Sequence, residues 1–279
     1  MIIWFYHRVL PSKQKLSVDL ETFEKQILFL KKSGFYFIDS KGLIRYLSGD
    51  RLISEKSVMI TFDDGWVDNF IFAQPVLAKF AVKATIAVNT GLINPSHGLV
   101  RTSNAYTITD SKKALSNAVN NKDFTSFLTW DELREMKKSG FWDIQAHGNS
   151  HLGCYRNFDN IRGFFPEKEH WTMEFAIGEN PFLGAPRTTF ESILSSPRTT
   201  LSDDFKEALR NAKNNSERLA ICKTHPCPII EIETADEFEN RVANDLEICK
   251  HKLRENLGIE PISLFWPWGQ STQKSIEIA

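Results

Sequence analysis

The sequence predicts an α/β fold in which parallel strands alternate with helices. Apolar runs of strand length alternate with segments of helical periodicity through about residue 146 and again near the C-terminus. The residues that carry chemistry, His7, Asp63, Asp64, His147 and the Pro267-Trp268-Gly269 turn, each follow the C-terminal end of an expected strand although they lie far apart in the chain. An open doubly wound sheet and a closed β/α barrel both fit the alternation. The barrel is favoured, because there such strand ends converge on one face.

Residues 2–6 (IIWFY) read as a short buried strand. Residues 20–33 carry Leu20, Phe23, Ile27 and Leu30 at helical spacing, and Gly34 follows as a C-terminal cap. The alternation continues with a strand at about 35–38, a helix at about 40–48, a strand at 57–62, a helix at about 68–80 and a strand at 83–88. A polar stretch at about 92–126 precedes a helix over 129–140. Thr129 is its expected N-cap, and Glu132 three residues on completes a capping box. A strand follows at 142–146. Residues 152–234 break the rhythm and, apart from a helix at 202–212, read as an insertion too aromatic to stay solvated. A long helix at about 236–257 aligns Phe238, Val242, Leu246, Cys249, Leu253 and Leu257 on one stripe, and the last strand is 262–266. The closing TQKSIEIA reads as the beginning of an uncapped helix.

The 279 residues, 42% hydrophobic and 25% charged, belong to a folded globular chain. The 34 basic residues nearly balance the 35 acidic ones, so no long-range field points to nucleic acid or an anionic membrane as partner. Cys154, Cys222, Cys227 and Cys249 lack metal-ligand spacing and read as reduced thiols. The apolar N-terminus lacks a basic leader and a cleavage motif, and no run approaches the roughly 20 apolar residues of a membrane helix. The sequence as written is therefore expected in the cytoplasm, or in the periplasm or at the cell surface if a leader has been removed.

In TFDDG, residues 61–65, an apolar strand runs into two adjacent carboxylates. Neighbours at a strand end point in different directions, so Asp63 and Asp64 cannot share one task. An isolated Asp-Asp-Gly reads equally well as a plain turn. His147 and His151, four apart and directly after a strand, change that balance, because both imidazoles can turn toward one ion. With Asp64 they make a two-histidine, one-carboxylate set that leaves positions open for water and substrate. Zinc is the first choice on ligand type, with iron, cobalt and nickel as alternatives.

TFDDG, then HGNSH at 147–151, then FWPWG at 265–269 together resemble the polysaccharide deacetylases, the NodB-homology or carbohydrate esterase family 4 proteins. The resemblance runs from YHRV at 6–9 to FWPWG and is weakest over 152–234. It implies a distorted β/α barrel of about seven strands, with residues 1–279 as one domain and 152–234 inserted within it. It also implies Asp63 as general base and Asp64, His147 and His151 as metal ligands. The backbone N–H of Trp268 would hold the oxyanion, with Pro267, Trp266 and Gly269 shaping the substrate side. The family's usual C-terminal acid histidine has no counterpart after Gly269. Tyr6-His7-Arg8-Val9 instead matches the circularly permuted branch that resembles the poly-N-acetylglucosamine deacetylases, which makes His7 the acid.

This sequence departs from the family in having Gly148 where Ser or Thr is usual, so a hydrogen bond that would steady the loop is either missing or supplied by Asn149 or Ser150. Phe265-Trp266 replaces an arginine that usually helps orient the base. The expected activity is removal of N-acetyl groups from amino sugars of a cell-envelope polysaccharide or its precursor. The alternatives are a deformylase or O-deacetylase on a related glycan, or a non-catalytic carbohydrate binder with the same fold. A glycosidase is excluded because adjacent carboxylates cannot flank a glycosidic bond. His97, His170, His225 and His251 read as loop or surface residues, and Asp68 and Asn69 as the start of the following helix. Arg187 and Arg198 read as solvated or as contacts to an anionic sugar or diphosphate. Phe164, Phe165, Trp171, Phe175 and Phe182 read either as a sugar-stacking groove or as a small core.

Overall fold

The computed structural model describes residues 1–50, 54–165 and 182–279. His170, Trp171 and Phe175 lie outside the described residues. The chain forms two compact units. The first comprises Met1–Ala118, Lys122–Asn149 and Glu247–Phe265; the second comprises Val119–Asn121, Ser150–Leu246 and Trp266–Ala279.

In the first unit β1 (Ile2–Tyr6), β2 (Arg8–Leu10) and β3 (Ser17–Asp19) lead into α1 (Leu20–Lys32). Asp19 caps α1 by accepting from the Thr22 N–H, and Phe23, Ile27 and Leu30 form its buried face. β4 (Tyr36–Phe37), α2 (Ser40–Leu47) and β5 (Ser57–Phe62) follow. Every residue of β5 is buried, which is why its sequence is an almost unbroken apolar run. After a π-helical turn (Asn69–Ala73) come α3 (Gln74–Phe80), β6 (Ala84–Val88), α4 (Ser111–Asn121), α5 (Trp130–Ser139) and β7 (Trp142–Ala146). The pairings β1·β5, β5·β6 and β6·β7 are all parallel, and β4 also pairs with β5 in parallel. A single parallel bridge, Ala146 to Leu264, extends the order beyond β7.

The expected parallel α/β sheet is thus present. It has five strands, and among the described residues its pairings form an open order with no closed ring. Residues 2–6 are a strand as expected, but not a buried one. Ile2, Ile3 and Phe5 are exposed, because β1 is an edge that among the described residues pairs only with β5. Among the described residues the 262–266 run pairs through one bridge, and the N–H groups of Ile262 and Ser263 donate to Gln145 Oε1 at 2.9 and 3.1 Å rather than to a neighbouring strand. The polar 92–126 stretch hides α4, whose N-cap is Asp110 and whose buried face is short: Ala114, Leu115 and Ala118.

The second unit holds β8 (Gly153–Tyr155) paired with β9 (Phe190–Ser192), and β10 (Thr199–Leu201) paired with β11 (Ile229–Glu231), both antiparallel. Between β10 and β11 lie α6 (Asp203–Asn211) and α7 (Asn215–Thr224). Tyr155, Phe165, Ala185, Leu201, Phe205 and Leu209 form its core, with Phe164 and Phe182 packed against it. Phe165 is thus a core residue, and Phe164 and Phe182 are partly buried against that core, in line with the small-core alternative. After β11 comes α8 (Ala235–Leu257), which buries Phe238 and Val242 near its start and Cys249, Leu253 and Leu257 near its end. A 3-10 turn (Pro267–Gly269) and α9 (Gln273–Ile278) complete the fold. α9 is capped after all, by a reciprocal pair of Thr272 and Ser275. No helix among the described residues is long and apolar enough to cross a membrane, and all four cysteines are free.

Candidate metal centre and active site

The β1–β5 ladder delivers the carboxylates. The Asp63 N–H donates to the carbonyl of Tyr6 at 3.0 Å, one step beyond the last paired residues of the two strands. The chain then turns sharply, with Asp64 in the left-handed region at φ 72° and Gly65 at φ 85°. A non-glycine residue in that conformation is strained, and such strain is characteristic of functional turns. The turn sends the two side chains to different surroundings. Asp64 is buried, accepts from Trp66 Nε1 at 3.0 Å and lies 3.4 Å from His147 Nε2 through its other oxygen. Asp63 has a buried Oδ1 without a hydrogen-bond partner among the described residues.

His147 follows directly on β7 and is buried. Its Nδ1 lies 2.8 Å from the carbonyl oxygen of Phe265. A carbonyl only accepts, so Nδ1 carries the proton and Nε2, on the Asp64 side, keeps a lone pair for a ligand. Asp64, His147 and His151 each offer a ligand atom, and these atoms lie within 4.8 Å of one another. Gly148 adopts φ 74°, a conformation that favours glycine over the Ser or Thr usual there. The steadying hydrogen bonds come from Asn149: its Oδ1 accepts from Thr90 Oγ1 at 3.1 Å and from Lys252 Nζ at 2.8 Å.

The electrostatics favour a cation. Burial works against protonation of His147, but the carboxylates of Asp64 and Asp63 and the Phe265 carbonyl outweigh it and raise its pKa. Burial also raises the pKa of Asp63; His147 and His7 oppose that shift and Asp64 adds to it. Two imidazoles, one carboxylate and a local preference for positive charge fit a divalent ion of the zinc class.

His7 is half-buried, one residue beyond β1, with its ring edge-on to Phe5 and its field acting on Asp63. Trp268 is part-exposed and left-handed at φ 63°, and its Nε1 donates to the carbonyl of His151 at 3.3 Å. Pro267 is buried, Gly269 is exposed at φ 65°, and Trp266 packs against Leu194, Phe238 and Val242. Sequence reading missed Trp66 and the Phe265 carbonyl. The first carried a weak signal, an indole two residues from the carboxylate it serves, and a backbone carbonyl carries none. Arg198 is not free but paired with Glu233 at 2.7 Å, and Arg187 lies over Phe165.

The polysaccharide deacetylase family model matches residues 51–180. Over 171 residues the chain is 38% identical to YxkH of Bacillus subtilis (strain 168), assigned by name to the same family, covering 61% of this chain and 48% of that protein. It is 24% identical over 144 residues to the poly-beta-1,6-N-acetyl-D-glucosamine N-deacetylase of Escherichia coli (strain K12), covering 51% of this chain and 19% of that protein. The chain thus spans about half the length of the first relative and less of the second. Its fold is similar to that of a de-N-acetylase from Aggregatibacter actinomycetemcomitans, with a TM-score of 0.62 and 20% identity over 99% of this chain and 82% of that one. The BpsB deacetylase domain of Bordetella bronchiseptica gives a TM-score of 0.58 and 19% identity over 100% of this chain and 83% of that one.

Proposed function

We propose that this chain, whose residues 51–180 match the polysaccharide deacetylase family model and which is similar to the poly-N-acetylglucosamine deacetylases, is a metal-dependent hydrolase removing N-acetyl groups from amino sugars of a cell-envelope polysaccharide or its precursor. The first unit's sheet is read as that of a distorted NodB-like barrel, with residues 152–234 inserted in the domain. One observation carries the reading: of two adjacent carboxylates, Asp64 is turned to the histidine pair, while Asp63 keeps a buried oxygen free of partners among the described residues.

Asp64, His147 and His151 would hold the ion, zinc by first choice. When bound, a divalent ion supplies a Lewis acid for the acetyl oxygen and lowers the pKa of water. Asp63 takes a proton from the attacking water as its oxygen bonds to the acetyl carbon. The Trp268 N–H stabilises the resulting oxyanion, and Pro267, Trp266 and Gly269 shape the sugar side. His7 gives a proton to the nitrogen as the C–N bond breaks, leaving acetate and a free amine. An amine leaves poorly unless protonated, so the base needs a separate acid as its counterpart.

The test is metal analysis of the purified protein coupled to acetate release from N-acetylhexosamine oligomers. Asp63→Asn is expected to lower turnover about 100- to 10,000-fold while bound metal stays unchanged. Loss of metal from that variant would transfer Asp63 to the ligand set. A metal-free protein inactive with every divalent ion tried would sink the hydrolase reading.

A further inference from the structure

Asp68 and Asn69 follow the Asp63-Asp64 turn, and both are fully buried at 0% exposure. As the start of a helix they should cap it, yet Asp68 makes no side-chain capping bond. Both reach across to the β1–β2 turn. Asp68 accepts from Arg8 Nε at 2.8 Å and from the Val9 N–H at 3.2 Å, and Asn69 Nδ2 donates to the carbonyl of His7 at 2.9 Å. Three consecutive residues, His7, Arg8 and Val9, are therefore gripped by two consecutive ones. The grip sits where the chain departs from α geometry into the π turn Asn69–Ala73, a local irregularity frequent at functional sites.

Arg8 extends the connection. Fully buried, it donates from Nη1 to the Thr109 carbonyl at 3.0 Å and to Ser111 Oγ at 2.8 Å, and from Nη2 to the Tyr106 hydroxyl at 3.3 Å. Its guanidinium lies 4.4 Å from the centre of the Trp66 ring, and Trp66 is the donor to Asp64. Desolvation largely offsets the attraction within a buried ion pair, so such a pair is a poor source of stability for its own sake; its best-attested use is to fix a register. Here the register is that of the His7 turn against the Asp63-Asp64 turn.

We propose that Asp68 and Asn69 are positioning residues that lock the His7 turn onto the Asp63-Asp64 turn, so that the acid and the base face the scissile amide from fixed places. The inference rests on the reading of His7 as general acid. Misplacing a reacting group by about 1 Å can cost roughly 100-fold in rate. A loosened His7 should hurt only where a leaving group needs its proton.

The experiment uses the full chain with its metal and two acetyl donors, an N-acetylhexosamine oligomer and 4-nitrophenyl acetate, whose phenolate leaves unprotonated. Asn69→Leu, close in volume but unable to donate, is expected to lower kcat on the oligomer about 100-fold, with KM, bound metal and ester turnover held within about twofold. His7→Ala should show the same pattern. Asn69→Asp, isosteric and without a donor when ionised, repeats the measurement if the leucine variant folds poorly. Equal losses on both donors, or loss of metal, would overturn the proposal by placing the effect of Asn69 on the fold or the ligands. Unchanged amide turnover in both Asn69 variants, beside a collapse in His7→Ala, would overturn the clamp and leave the acid in place. Full amide turnover in His7→Ala would overturn the acid reading and the clamp with it.

Discussion

A methyl group on Gly91 would stand 2.2 Å from the backbone oxygen of Asn149. No side chain fits there, because the loop after β6 and the loop after β7 touch backbone to backbone: the Thr90 N–H donates to the Gly148 carbonyl at 3.0 Å. Gly91→Ala is therefore expected to push the 147–151 loop out of place. It should lower metal affinity about 10- to 100-fold, the cost usual for disturbing a ligand's support, measured by titrating the metal-free protein with zinc. Unchanged affinity would show that the loop yields freely. At this scale the sequence displays residue types but not their neighbours. The candidate ligand set was legible in DDG and HxxxH, whereas the Lys252 and Thr90 contacts to Asn149 come from residues 103 and 59 positions away.

Elements were most legible where local chemistry alone shapes them. The helix over Trp130–Ser139 begins at its capping box, with Thr129 accepting from the Glu132 N–H and Glu132 accepting in return. The same Glu132 carboxylate is buried against Arg101, a long-range contact with no local signal. The 68–80 helix divides into a π turn and α3, and at that division Asp68 and Asn69 bond to the β1–β2 turn. In the second unit, Glu233 holds Arg198 and Arg241 together at 2.7 and 2.6 Å. Burial alone would raise its pKa, but hydrogen bonds and charge from Arg241 and Arg198 lower it from 4.5 to about 2. A lowered carboxylate pKa stabilises the fold above the unfolded value, and that contribution is lost as pH falls from about 4.5 toward 2. Glu233→Gln should thus be less stable than wild type at pH 7, with the gap closing over that window. Urea melts across the range check it, and a pH-independent gap would mean that packing, not charge, is the contribution.

For the whole molecule, an ion that binds only the folded state raises stability by mass action, about 4 kcal/mol at a free concentration 1,000 times Kd. Chelation should lower Tm and zinc restore it, and His151→Ala should erase the difference between the two states. A Tm indifferent to chelator would count against a bound ion. By itself the sequence determined the alternation of strands and helices, because side-chain periodicity is a local property of the backbone. It also determined the identity of the chemical groups, because carboxylate and imidazole are recognisable wherever they stand. Only the tertiary structure decided that the sheet is open among the described residues, that β1 is an exposed edge and that Phe165 is core with Phe164 and Phe182 packed against it. It alone tied Asp68 and Asn69 to His7, Arg8 and Val9. Burial, tautomer and register are set by partners distant in the chain, and no window of sequence contains both partners.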